Sequence, residues 1–131
     1  MSSNRENNCT IKNMTKGKLP RLPFASMKDA VLGKNYNLSL VFTSRNELRR
    51  LNRIYRSKDK TTDILSFPLS DSVGEIFINL DEAKKESKKF DRNPENFLAF
   101  LFIHGLTHLK GLTHGSRMEA QETKFRKKFG I

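Results

Sequence analysis

Asn93-Pro94-Glu95-Asn96-Phe97-Leu98-Ala99-Phe100-Leu101-Phe102-Ile103-His104-Gly105-Leu106-Thr107-His108-Leu109-Lys110-Gly111-Leu112-Thr113-His114-Gly115 contains all three histidines of the chain and its most apolar run. Asn93 suits a helix N-cap, and Pro94 suits the first helical position, where its missing N–H is not needed. Glu95 falls in the first turn, beside the positive end of the helix dipole. From Phe97 to Ile103 apolar residues fill every face, which predicts a helix buried on most sides. Gly111 is placed to take the left-handed conformation that ends helices. His104 and His108 therefore stack on one face of the last turns, and the chain returns past Gly111 with His114.

Three imidazoles so placed can converge on a tetrahedral metal and leave a fourth position for water. A lone histidine is more often an ordinary packed or surface residue. Three at ligand spacing in one short window, with a glycine hinge between the second and third, favour a metal. Zinc fits best, because neutral nitrogens and an open position suit it; ligand type alone leaves nickel, copper and iron open. The spacing His-x3-His-x5-His matches that of metzincin proteases, which carry a Glu general base directly after the first His. Here that position is Gly105. The metal ligands are expected without the protease base.

A chain of 131 residues with 36% hydrophobic content is read as one domain, 1–131, with one core. No apolar run approaches the roughly 20 residues that span a membrane. Residues 1–8 are polar, lack a signal-peptide core and are expected to fray. One cysteine, Cys9, forms no intramolecular disulfide and fits a reducing cytoplasm. The net charge of +11 points to a polyanion, most simply nucleic acid. Arg45, Arg49, Arg50, Arg53, Arg56, Lys58 and Lys60 stand against only Glu47 and Asp59 in that segment. Such a face is usually just solvated. A one-signed excess costs self-repulsion, so a polyanion partner is the better reading.

The remaining pattern gives an α+β fold. Cys9–Met14 alternates and reads as an edge strand, 15–23 as a loop, and 24–32 as a helix ended by Gly33. Asn37–Thr43 is β-rich. Ser44 with Glu47 forms a capping box for a helix whose apolar stripe is Leu48, Leu51 and Ile54 or Tyr55. Thr61–Pro68 reads as a strand ended by Pro68, Leu69–Ser72 as a turn, and Val73–Ile78 as its antiparallel neighbour. Asn79 with Glu82 opens a charged helix, and 117–128 forms the last one. A single mixed sheet of about four strands is expected, packed with helices, with the histidine helix against it.

Two stretches together resemble one family. Asn52-Arg53-Ile54-Tyr55-Arg56-Ser57-Lys58-Asp59-Lys60-Thr61-Thr62-Asp63-Ile64-Leu65-Ser66-Phe67-Pro68 is similar to the N-x-x-(Y/F)-R-x-K-D-x-x-T-D-V-L-S-F-P segment of the YbeY endoribonucleases. His104 to His114 resembles their H-G-x-L-H-L-x-G-Y-D-H motif, and Gly74-Glu75-Ile76 their G-D-I strand. The likeness runs from about Leu38 to Phe125, in order and spacing. It implies a metal-dependent, single-strand-specific endoribonuclease acting in small-subunit ribosomal RNA maturation and ribosome quality control in the cytoplasm. It also implies one zinc ion on His104, His108 and His114, a functional arginine at Arg56, and a mixed four-stranded sheet. Thr113 departs from the family's Asp and cannot act as an anionic base; Leu112 and Thr107 are changes of packing type.

On this reading the metal and Arg56 stabilise charge on a scissile phosphate, while Arg49, Arg50 and Arg53 hold flanking phosphates. Glu75, Asp63 and Glu119 are candidate bases by residue type only, and an RNA 2′-hydroxyl is an alternative attacking group. A zinc-containing RNA- or ribosome-binding factor without turnover is the competing class. A peptide hydrolase ranks last, because of Gly105 and the charge.

Overall fold

The structure, a computed structural model, describes residues 2–6 (as backbone) and 8–131. Its elements are β1 (Ser2–Glu6), β2 (Cys9–Asn13), α1 (Phe24–Leu32), β3 (Asn37–Phe42), α2 (Arg45–Arg56), β4 (Ile64–Ser70), β5 (Val73–Ile78), α3 (Leu80–Lys89), α4 (Pro94–Leu109) and α5 (Ser116–Lys128). The sheet is mixed, in the order β1-β2-β3-β5-β4. β2–β3 and β3–β5 are parallel, whereas β1–β2 and β4–β5 are antiparallel.

This α+β architecture matches the expectation, with three corrections. The sheet has five strands rather than about four, because residues 2–6 pair along β2 instead of fraying. Met1 and Asn7 lie outside the described residues. The pairing satisfies backbone groups that an open β2 edge would leave bare, so polarity of side chains was a poor guide there. β2 is accordingly an interior strand, not an edge. Pro68 does not end its strand: β4 continues to Ser70, with a register shift between Pro68 and Ser70. Proline is tolerated because β4 is the edge strand, where a missing N–H breaks no ladder.

Side-chain alternation divides the sheet into two faces. Leu38, Leu40, Phe42, Ile76 and Ile78 face the main core, with Met27 of α1 and Leu98, Phe102, Ile103 and Leu106 of α4. Leu65, Phe67 and Phe77 face the other way and pack under Leu48 and Leu51 of α2. Of Ile54 and Tyr55, 52% and 65% exposed, Tyr55 touches that cluster at its rim, its ring edge-on to Phe67 at 5.5 Å. Both stay largely exposed because α2 covers only this small cluster.

Local signals set α4. Asn93 accepts the N–H of Asn96 at 2.7 Å, and Pro94 is the first helical residue. At the other end Gly111 takes φ +94°, its N–H reaches the His108 carbonyl and that of Leu112 reaches Thr107. This is the paired-bond glycine stop of a Schellman motif. Ser44 likewise caps α2 through the Glu47 N–H, but the Glu47 carboxylate turns to Arg50 rather than closing the box.

Gly105 has a packing reason. A Cβ there would lie 2.8 Å from Ile64 Cδ1, 3.1 Å from Ser66 Oγ and 3.2 Å from Ile76 Cδ1. The α4 backbone rests directly on β4 and β5 at the level of the histidines.

Candidate metal centre and its groove

His104 and His108 share one face of α4, and the turn at Gly111 returns His114 to them. One ring nitrogen of each lies within 4.8 Å of the others, so the three could hold a metal ion. The donor set fits such an ion. Glu122 of α5 lies 2.6 Å from His104 Nδ1, which makes that nitrogen the donor and leaves Nε2 with a lone pair. His104 Nε2 and His108 Nε2 stand 3.1 Å apart. Two lone pairs at that separation need a proton or a cation between them. Burial foremost, then the neighbouring His104 and His114, pushes His108 below the usual histidine range, toward the neutral form that ligates metal.

Glu122 was missed in the sequence. It falls four residues after Met118 and three before Phe125, both buried, so a carboxylate sits within the apolar stripe of α5. That misplaced charge was the available signal. A carboxylate behind a ligating imidazole fixes its tautomer and ring orientation.

Arg56 closes the other side. From the last turn of α2 it reaches the edge of the sheet, where its Nη2 donates to the Ser66 carbonyl at 2.9 Å. Its guanidinium carbon lies 5.7 Å from the centre of the Phe67 ring. Arg56, Ser66, Pro68, His104, Gly105 and His108 line a cavity of about 260 Å³. The sequence-predicted arginine and two of the predicted ligands therefore meet across one space, and His114 completes the triad.

Arg49, Arg50 and Arg53 are not brought there. All three are more than half exposed and paired: Arg49 with Asp59 at 3.0 Å, Arg50 with Glu47 at 2.5 Å, Arg53 with Asp59 at 3.9 Å. Arg49 chiefly holds the Asp59 carboxyl below the usual carboxylate range, and Arg50 does the same for Glu47.

The carboxylates expected by type scatter. Glu75 lines a separate depression with Thr10, Ser39 and Leu69. Glu119 borders His114 and Glu122 in a small recess of about 180 Å³. Asp63 lines a larger cavity, about 450 Å³, which shares Arg56, Ile64 and Leu65 with the histidine cavity. Thr113 is exposed. Among the described residues no helix is long and apolar enough to cross a membrane.

A family model described as Endoribonuclease YbeY matches residues 2–129. Endoribonuclease YbeY of Alkaliphilus metalliredigens is 38% identical over 103 residues, covering 70% of this chain and 66% of that relative. Its namesake from Aquifex aeolicus is 33% identical over 135 residues, covering 95% of this chain and 89% of its own. The solution structure of TM1509 from Thermotoga maritima superposes with a TM-score of 0.66 at 23% identity. It covers 92% of this chain and 88% of its own, which shows a shared fold.

Proposed function

The chain belongs to the YbeY endoribonuclease family, and from that premise we propose that it is a zinc-dependent endoribonuclease. Its substrate is single-stranded RNA, and its role lies in small-subunit ribosomal RNA maturation and ribosome quality control in the cytoplasm. The observation that carries this reading is Arg56 facing His104 and His108 across one cavity. A fixed cation opposite a metal-ligand set is what a phosphodiester needs, because attack on phosphorus adds negative charge.

His104, His108 and His114 would hold zinc, and Glu122 would keep His104 oriented for it. Zinc held there supplies Lewis acidity toward a water or a phosphate oxygen. Arg56 is the catalytic residue: its guanidinium, anchored on the edge-strand carbonyl of Ser66, binds the scissile phosphate and meets the developing charge without reorganising. Arg49, Arg50 and Arg53 hold flanking phosphates by charge alone, since their own carboxylate partners already engage them. Among the described residues no carboxylate lines the histidine cavity itself. This fits attack by the RNA 2′-hydroxyl as well as by water, and the ends produced separate the two: a 2′,3′-cyclic phosphate for the first, a linear phosphate for the second.

The missing carboxylate also favours the competing reading, an RNA-binding assembly factor. One experiment divides them. Nuclease-free protein is expected to carry about one zinc and to cleave single-stranded RNA. Chelation should abolish cleavage and zinc should restore it, whereas His108→Ala should purify without metal and without activity. Salt-dependent RNA binding with no turnover, unchanged by chelation, would leave the binding factor standing.

A further inference from the structure

The larger cavity beside the histidines is lined by charges of both signs. Arg56, Lys58 and Lys60 line it together with Asp63, Glu82 and Glu86, of which Glu82 is already paired with Arg45. At about 450 Å³ it has the size of a small-ligand site, and it adjoins the histidine cavity, sharing Arg56, Ile64 and Leu65 with it. Two of its groups keep unused hydrogen-bonding capacity. Asp63 makes no ion pair among the described residues; burial foremost pushes its carboxyl up, against the backbone N–H groups of Asp63 and Ile64 that it accepts, with Glu86 adding to the rise. Thr61 Oγ1 is buried with no hydrogen-bond partner. The buried Thr61 hydroxyl calls for a partner, and Asp63 has lone pairs left to accept one, so the cavity suits a ligand bringing both donors and acceptors.

A second phosphate does not fit that description, because Asp63 and Glu86 would repel it. A neutral nucleobase does. We propose that this cavity seats the nucleobase adjacent to the phosphate at Arg56, and that Asp63 selects bases bearing an exocyclic amino group over uracil. The proposal rests on the ribonuclease reading above. Guanine is favoured most, since its N1–H and N2–H present two adjacent donors to one carboxylate. Uracil presents a single N–H between two carbonyl oxygens, which would face the carboxylate. The phosphates of the same nucleotide run along Arg56, Lys58 and Lys60, and the Thr61 hydroxyl meets a remaining base atom.

The test is equilibrium binding of the full chain to labelled single-stranded hexanucleotides at fixed salt. One position is guanosine, cytidine, adenosine or uridine in an otherwise uridine hexamer. Guanosine is expected to tighten binding about 10-fold over uridine. Asp63→Leu should erase that difference, so that the guanosine and all-uridine hexamers bind within about two-fold of each other. Asp63→Asn, nearly isosteric and safe for the fold, should shift the preference from guanosine toward adenosine, which an amide matches. Binding with no base preference in the wild type would overturn the pocket while leaving the ribonuclease reading intact. Failure to bind any hexamer would overturn both. A magnesium titration showing a site lost in Asp63→Asn would reassign the cavity to a cation.

Discussion

The two faces of the sheet contribute opposite halves of the site in different ways. On the α4 face, the histidines are delivered by one helix and its glycine stop, within eleven residues (104–114). On the α2 face, a helix displays a row of arginines, yet only Arg56 reaches the cavity; Arg49, Arg50 and Arg53 stay outside, paired with Glu47 and Asp59. The same residue type at helical spacing thus ends in two environments. A ligand cluster within one helix is a local property. A cation reaches that cavity only with help from a distant segment, here the edge-strand carbonyl of Ser66 that anchors Arg56.

The largest effect should come from the α4 face. Gly105→Glu restores the protease-like Glu after the first His, but forces a charged side chain against Ile64, Ser66 and Ile76. A loss of about 3 kcal/mol or more in denaturant unfolding is expected. A stable variant that cleaves peptides would break the contrast, because Gly105 would then be a chemical rather than a packing choice.

Next comes the α2 face. Arg56→Ala should lower kcat for RNA cleavage about 100-fold with zinc content unchanged. Full cleavage by the purified variant would sink the role given to Arg56. A smaller effect tests the support behind the ligands: Glu122→Gln should weaken zinc affinity by about 10-fold, measured by competition with a chromogenic chelator. Unchanged affinity would reduce Glu122 to packing. The smallest effects belong to the outer arginines. Arg49→Ala, Arg50→Ala and Arg53→Ala should each change RNA affinity by less than about two-fold, since exposed paired charges contribute little. A large loss at any one would erase the distinction between the two sets.

Much of the site was legible because its determinants are local. Asn93, Pro94, His104, His108 and Gly111 act through bonds and spacings of three to five residues, and these held in the structure. Arg56 was legible through the family segment, not through the basic excess of residues 45–60, which grouped it with Arg49 and Arg53. The tail of the α2 stripe left Ile54 and Tyr55 as alternatives, and only the small cluster under α2 shows that Tyr55, edge-on to Phe67, makes the contact while both stay largely exposed.

By itself the sequence determined the α4 helix, its caps, the shared face of His104 and His108 and the return to His114, because 3.6-residue periodicity and the glycine stop depend only on neighbours along the chain. Only the tertiary structure decided that residues 2–6 extend the sheet, that Glu122 stands behind His104, that Gly105 is pressed onto β4 and β5, and that Arg56 alone among its helix neighbours faces the histidines. Apart from the β1–β2 hairpin, each of these joins segments far apart in sequence, and which segments meet is set by how whole faces pack, a sum over many contacts that no short spacing encodes.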